Sequence, residues 1–166
     1  MDSAVAAPPA QVINPKMIVP FVNSVRQVFT KMVGVPTTVS GAQIKGSPAP
    51  SYDVSGIIGF SGEVTGSVVV SFQKQAAIKL VNALAGSEIE FGTADFADAI
   101  GELANMIAGS AKKDLNALAN ISIPSVIIGG GHVIARLTDV PCVVIPCTTP
   151  VGDFAVEVNI KQTKVS

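Results

Sequence analysis

The sequence predicts an α+β fold in which two long helices pack on one face of a mostly antiparallel six-stranded sheet. Three observations carry this reading. Apolar residues recur at helical spacing in two long segments, one starting at Pro15 and one at Asp95. β-branched runs bounded by Gly, Ser and Pro fall into two groups of three. The resulting order of helix, three strands, two helices and three strands lets both long helices cover one face of an antiparallel sheet.

Taken in order, residues 1–14 are Ala/Pro-rich without periodicity and are expected to be a flexible arm. A single domain is expected over 15–166. Its first helix starts at Pro15, a residue suited to the first turn, with Asn14 as cap. Met17, Phe21, Val25, Val28, Phe29 and Met32 share one helical face, and Gly34 and Pro36 stop the helix. Pro20 is tolerable only near the helix start or as a kink. Three strands are expected at Val35–Lys45, Tyr52–Phe60 and Gly66–Phe72, the last two joined as a hairpin. A helix over Lys74–Ala85 ends at Gly86. The longest helix spans Asp95–Ala119, with Thr93 or Asp95 as cap. The last three strands are Ser125–Ile128, His132–Ile145 with a break near Pro141, and Phe154–Gln162. Gly129–Gly131 stands between strands and reads as a tight turn, because a phosphate-cradling loop needs a helix start after it. Each half of the chain holds a long helix followed by strands, as a diverged internal repeat would.

Composition narrows the function. Of 166 residues, 48% are hydrophobic and 14% charged, and the formal net charge is −1. No basic field exists for nucleic acid or an anionic membrane. One Tyr and no Trp argue against a base-stacking platform. No run of about 18 apolar residues occurs, so no membrane span is expected. The N-terminus carries no signal-peptide pattern, and a cytoplasmic location is expected. Cys142 and Cys147 fit neither a redox pair nor a zinc knuckle and read as buried small hydrophobes in a reducing compartment. No His/Cys/Asp cluster reads as a metal site, so no cofactor of its own is expected. The single histidine, His132, beside a glycine turn, is expected to be structural.

Chemistry concentrates in the long helix, at Asp98-Ala-Ile-Gly-Glu102-Leu-Ala-Asn105-Met-Ile-Ala-Gly109. Asn and each Gly cost helix stability here, Gly by about 1 kcal/mol against Ala. With Leu103 at the centre of the buried face, Phe96, Ala99, Ile100, Met106, Ile107 and Ser110 lie within about 60° of it. Asp98, Glu102, Asn105 and Gly109 gather on the other side, about 100–160° away. Glu102 and Asn105 are three apart and therefore neighbours. The flanking Gly101, Ala104, Ala108 and Gly109 are small, which is good for the close approach of another backbone. An exposed Glu and Asn beside small residues also arise on an ordinary solvated helix, or where a second helix of the same chain packs closely.

That stretch resembles the Asp/Ser-x3-Glu-x2-Asn signature of the CheC/CheX/FliY phosphatases of bacterial chemotaxis, falling on Asp98, Glu102 and Asn105. The segments "SGIIGFSGEVTGSVVVSF", "LAG", "AGSAKKDL" and "ISIPSVIIGGGH" extend the likeness over about residues 15–162. The chain is most similar to CheX, since one Glu-x2-Asn signature is present. In the first helix Asn23 has Pro20, not Glu, three residues before it. The nearest candidate for the proline that the family places after the Asn is Pro124, at a shorter spacing.

The resemblance implies hydrolysis of the phosphoaspartate of a CheY-type response regulator, and a homodimer with sheets joined edge to edge. Within that implication Asn105 orients the attacking water, because its amide oxygen accepts from water while its nitrogen donates elsewhere. Glu102 pairs with a regulator Lys, since a bare anion beside a phosphoryl group is repelled. Asp98, Gly101 and Gly109 are expected to support the site or contact the partner. Mg2+ is expected on the partner, held by its carboxylates. The alternative is a non-catalytic dimeric module of the same type that binds a regulator without hydrolysing it. A purely structural scaffold is a third reading.

Overall fold

The computed structural model describes residues 12–163. Residues 1–11 of the expected arm lie outside the described residues. Of the remainder, Ile13 packs on the core and Asn14 belongs to the first helix's cap.

Helix α1 (Pro15–Val28) begins as its sequence dictates: the Asn14 side chain accepts from the Lys16 amide at 3.1 Å, and Pro15 takes the first turn. Pro20 is accommodated inside it, buried. The last turn, Phe29–Val33, is π-helical and closes at Gly34 (φ 74°), whose amide donates to the Phe29 carbonyl at 2.8 Å. The wider turn shifts the helical register. Val33 therefore faces the core, and Met32, expected inside, is exposed.

The expected strand Val35–Lys45 is two short pieces, β1 (Thr38–Val39) and β2 (Gln43–Ile44). Next come β3 (Val54–Gly62), shifted two residues along from its expected place, and β4 (Val64–Phe72), two residues longer than expected, because only Glu63 turns between them. Helix α2 (Lys74–Ala85) ends in a left-handed Gly86 at φ 70°. Helix α3 (Ala94–Asp114) is capped by Thr93, whose Oγ1 accepts from the Phe96 amide at 3.2 Å. It stops five residues before the expected Ala119. Leu115 turns into the core and Asn116 takes a positive φ of 52°, freeing Ala119–Ile121 to form a strand, β5, that was not expected. β6 (Ser125–Ile128), β7 (Val143–Thr149) and β8 (Gly152–Gln162) complete the chain.

Every pairing is antiparallel, in the lateral order β1-β7-β8-β4-β3-β5, with β2 also on β7 and β6 also on β3. The sheet thus has eight strands rather than six, because each outer position is shared by two short ones. Each half supplies a long helix, two short strands and a hairpin. The short strands of each half pair with the hairpin of the other, and β4 and β8 meet at the centre in register Val68↔Val158. This crossed pattern is the topology of an internal repeat, with α2 between the halves.

Alternation along the strands separates the two faces. Val68, Val70, Phe72, Phe154, Val156 and Ile145 turn to the helices and form the main core. Phe29 stacks on Phe154, and Phe21 meets Phe60 edge-on at 6.1 Å. α1 and α3 lie side by side on this face, where the buried Ser24 Oγ donates to the Ile107 carbonyl at 2.6 Å.

The opposite face carries buried polar groups: Ser55, Ser71, Glu157 and Asn159. A strap covers them, residues 129–142, over which the sequence predicts the start of a strand at His132. The strap is irregular because its backbone bonds to a side chain rather than to a neighbouring strand. Asn159 Oδ1 accepts from the Leu137 amide at 2.7 Å, and Nδ2 donates to the Leu137 carbonyl at 3.2 Å. Glu157, fully buried, faces Lys45 Nζ at 3.4 Å and Arg136 Nη2 at 3.5 Å. Cys147 is buried in the core, which pushes its thiol up to about 12, while Cys142 is half-buried at the end of the strap; both are free.

Candidate functional site

α3 owes its position to its small residues. A Cβ on Gly56 of β3 would lie 2.9 Å from the Ala104 Cβ, so strand and helix approach as closely as a glycine–alanine contact permits. Phe96, Ile100, Leu103 and Ile107 are buried as expected, but so are Gly101, Ala104, Ala108 and Ala111. Ala99, Met106 and Ser110 are only half-buried. The buried arc is therefore centred about 80° from Leu103, on the alanine side. Hydropathy favours large apolar residues, whereas steric fit against the sheet and its edge favours the smallest. Ala104 and Ala108 do not flank an open surface; they are packed.

This rotation places Glu102 near the middle of the exposed arc. Asn105 sits at its border and is half-buried. Both line an open groove of about 640 Å³ together with Asp98, Gly101, Ile123 and Pro124. One wall is α3; the other is the connection from β5 to β6. Among the described residues, the side chains of Asp98, Glu102 and Asn105 have no hydrogen-bond or ion-pair partner within the chain. Their carboxylates and amide are left free for an outside molecule.

Gly101 has a different task from the one its small size implies in sequence. It is buried, and a Cβ there would lie 3.0 Å from Pro124 Cγ and 3.5 Å from Val126 Cγ2. It is the seat on which the second wall rests. Gly109 lies farther along; a Cβ there would meet Ile121 Cδ1 at 3.9 Å, an ordinary contact. Pro124 stands across from Glu102 and Asn105 in the same groove. Ser122 anchors the wall to β3: its amide donates to the Gly59 carbonyl at 2.9 Å, and its Oγ accepts from the Gly59 amide at 2.8 Å. Ser122 and Ile123 lie within the ISIPSVIIGGGH segment, where no chemistry distinguishes them, and only the fold brings them to the helix.

His132 lies on the far face of the sheet. Its Nδ1 is 2.7 Å from the Gly129 carbonyl oxygen and its Nε2 3.2 Å from Ser55 Oγ, so it ties the strap to β3. Among the described residues no group of three or more His, Cys, Asp or Glu is placed to hold a metal ion. No described helix is long and apolar enough to cross a membrane.

Residues 54–148 match the family model of the chemotaxis phosphatase CheX. The chain is 35% identical over 101 residues to a CheY-P phosphatase CheX of Thermotoga maritima, across 58% of this chain and 61% of that protein; it thus spans less than two thirds of that relative's length. It superposes on a chemotaxis protein CheX of Desulfovibrio desulfuricans with a TM-score of 0.79 and 34% identity, covering 89% of this chain and 99% of the other. It also shares the fold of CheX in the CheX–CheY–BeF3–Mg2+ complex of Borrelia burgdorferi, at a TM-score of 0.68 and 20% identity over 88% and 98% of the two chains.

Proposed function

The chain belongs to the CheX family of chemotaxis phosphatases, and on that premise we propose that it hydrolyses the phosphoaspartate of a CheY-type response regulator. The observation that carries this reading is the groove in which Glu102 and Asn105 stand side by side without a partner of their own. Among the described residues the pair makes no bond within the protein and opens onto the groove, so its polar atoms are available to a docked molecule.

An acyl phosphate is intrinsically reactive, so modest acceleration suffices. A hundredfold corresponds to about 2.7 kcal/mol off the barrier. Placing one water in line with the phosphorus supplies an effect of that size. Asn105 takes this role: its amide oxygen accepts a water proton and aims the lone pair. A helix holds the amide more firmly than a loop. Glu102 pairs with a regulator Lys and orients the docked site. Such a desolvated interfacial pair couples by about 1.5–7 kcal/mol in favourable cases. Asp98 adds negative charge one turn away. Mg2+ belongs to the regulator and neutralises phosphate charge from that side. The same reading includes a homodimer joined through a sheet edge.

The test is phosphate release from an acetyl-phosphate-treated CheY-type regulator. Asn105→Ala is expected to lose about a hundredfold in rate while keeping regulator affinity and a melting temperature at or slightly above wild type. Turnover by Asn105→Ala at the wild-type rate would remove Asn105 from the mechanism. An unchanged phosphate lifetime with the wild-type chain would leave a binding module instead.

A further inference from the structure

Ile123 is the most exposed large apolar side chain among the described residues, at 87%. Exposed aliphatics are common singly, but this one is held out by construction. Ser122, just before it, is pinned to β3 through its amide and hydroxyl, and its Oγ also donates to the Ile123 carbonyl at 2.8 Å. Pro124, just after it, has a fixed φ and rests on Gly101 of α3. Ile123 thus stands at the rim of the Glu102–Asn105 groove between two fixed points, with no freedom to fold onto the protein's own surface. An apolar side chain presented in a rigid setting loses little entropy on burial, which is the property of a binding anchor.

The groove also defines what it accepts. Its charged lining is Asp98 and Glu102, and no lining residue is cationic. A matching partner surface presents a cationic side chain next to an apolar depression. We infer that Ile123 is the apolar anchor that seats the phosphorylated face of the response regulator, fixing its position against Asn105 while Glu102 takes its lysine. This rests on the phosphatase reading above and adds the residue that sets affinity rather than rate.

Binding of a beryllofluoride- and Mg2+-loaded CheY-type receiver domain, measured by calorimetry, separates the two claims. Ile123→Ser is expected to weaken the Kd about tenfold, the scale of losing one buried aliphatic side chain, and Ile123→Leu to restore it. Leu118→Ser removes an 80%-exposed aliphatic outside the groove and is expected to stay within about twofold of wild type. In turnover, Ile123→Ser raises KM and leaves kcat nearly unchanged, the opposite split to Asn105→Ala. A wild-type Kd for Ile123→Ser, or an equal loss for Leu118→Ser, overturns the anchor and leaves the role of Asn105 standing. Failure of the wild-type chain to bind the loaded receiver overturns both.

Discussion

At the scale of single residues, the two glycines flanking the Glu102–Asn105 pair divide by what a methyl group would meet. Gly109 has room, so Gly109→Ala should stabilise the protein by about 0.5–1 kcal/mol through helix propensity and a less flexible unfolded chain. Gly101 has none: a branched side chain there runs into Pro124 and Val126. Gly101→Val is expected to cost about 1–3 kcal/mol and to displace the wall that carries Ile123. Urea denaturation of the two variants reads the opposite signs, and regulator turnover should fall only for Gly101→Val. Equal stability changes would mean that the wall yields freely. Glycine at 101 is thus a requirement of packing, whereas packing within the chain makes no such demand at 109.

Among the elements, the strap over 129–142 is the least regular and depends on two buried side chains of β8. Asn159 supplies the hydrogen bonds that a neighbouring strand would otherwise give, and Glu157 offsets the charges of Arg136 and Lys45. Arg136 Nε, Nη1 and Nη2 are buried without a hydrogen bond, so the guanidinium depends on proximity to Glu157 alone. Glu157→Ala therefore leaves buried cations uncompensated and is expected to cost about 3–5 kcal/mol. Adding Arg136→Met should recover much of that loss. Chemical denaturation of both variants measures it, and a single variant within about 0.5 kcal/mol of wild type would show that the cluster is solvated instead. The strap lies on the face away from α3, so turnover per folded molecule should not change.

For the whole molecule, the crossed pairing of the two halves leaves short strands at both lateral edges, β1–β2 and β5–β6. Each edge keeps some unpaired amides and carbonyls to which a second sheet can add, although strands this short offer few of them. The proposed edge-to-edge homodimer should scatter light as twice the 16.9 kDa of one chain at micromolar concentration. A monomer mass under those conditions would set the dimer aside. The two helices that begin the halves are unequal: α3 carries Glu102 and Asn105, while α1 has Pro20 at the position three before Asn23. One Glu-x2-Asn pair per chain follows from that asymmetry.

Local chemistry alone was enough to place the cap at Asn14, to narrow the cap of α3 to Thr93 or Asp95, and to place the stops at Gly34 and Gly86 and the pairing of Glu102 with Asn105 on one helical face. Each depends on residues within about one helical turn, and short-range periodicity records such relations directly. The C-terminal end of α3, the division of the outer strands and the strap were not legible. They hinge on Asn116 adopting a left-handed turn and on Asn159 and Glu157 meeting a segment some twenty residues away in sequence. Tertiary structure also decided the rotation of α3 and the second wall of the groove. Alanine and glycine carry little hydropathy, so the sequence alone does not say whether they face water or another backbone. The answer came from Gly56 against Ala104 and Gly101 against Pro124, contacts in which the absence of a side chain is what lets the elements meet.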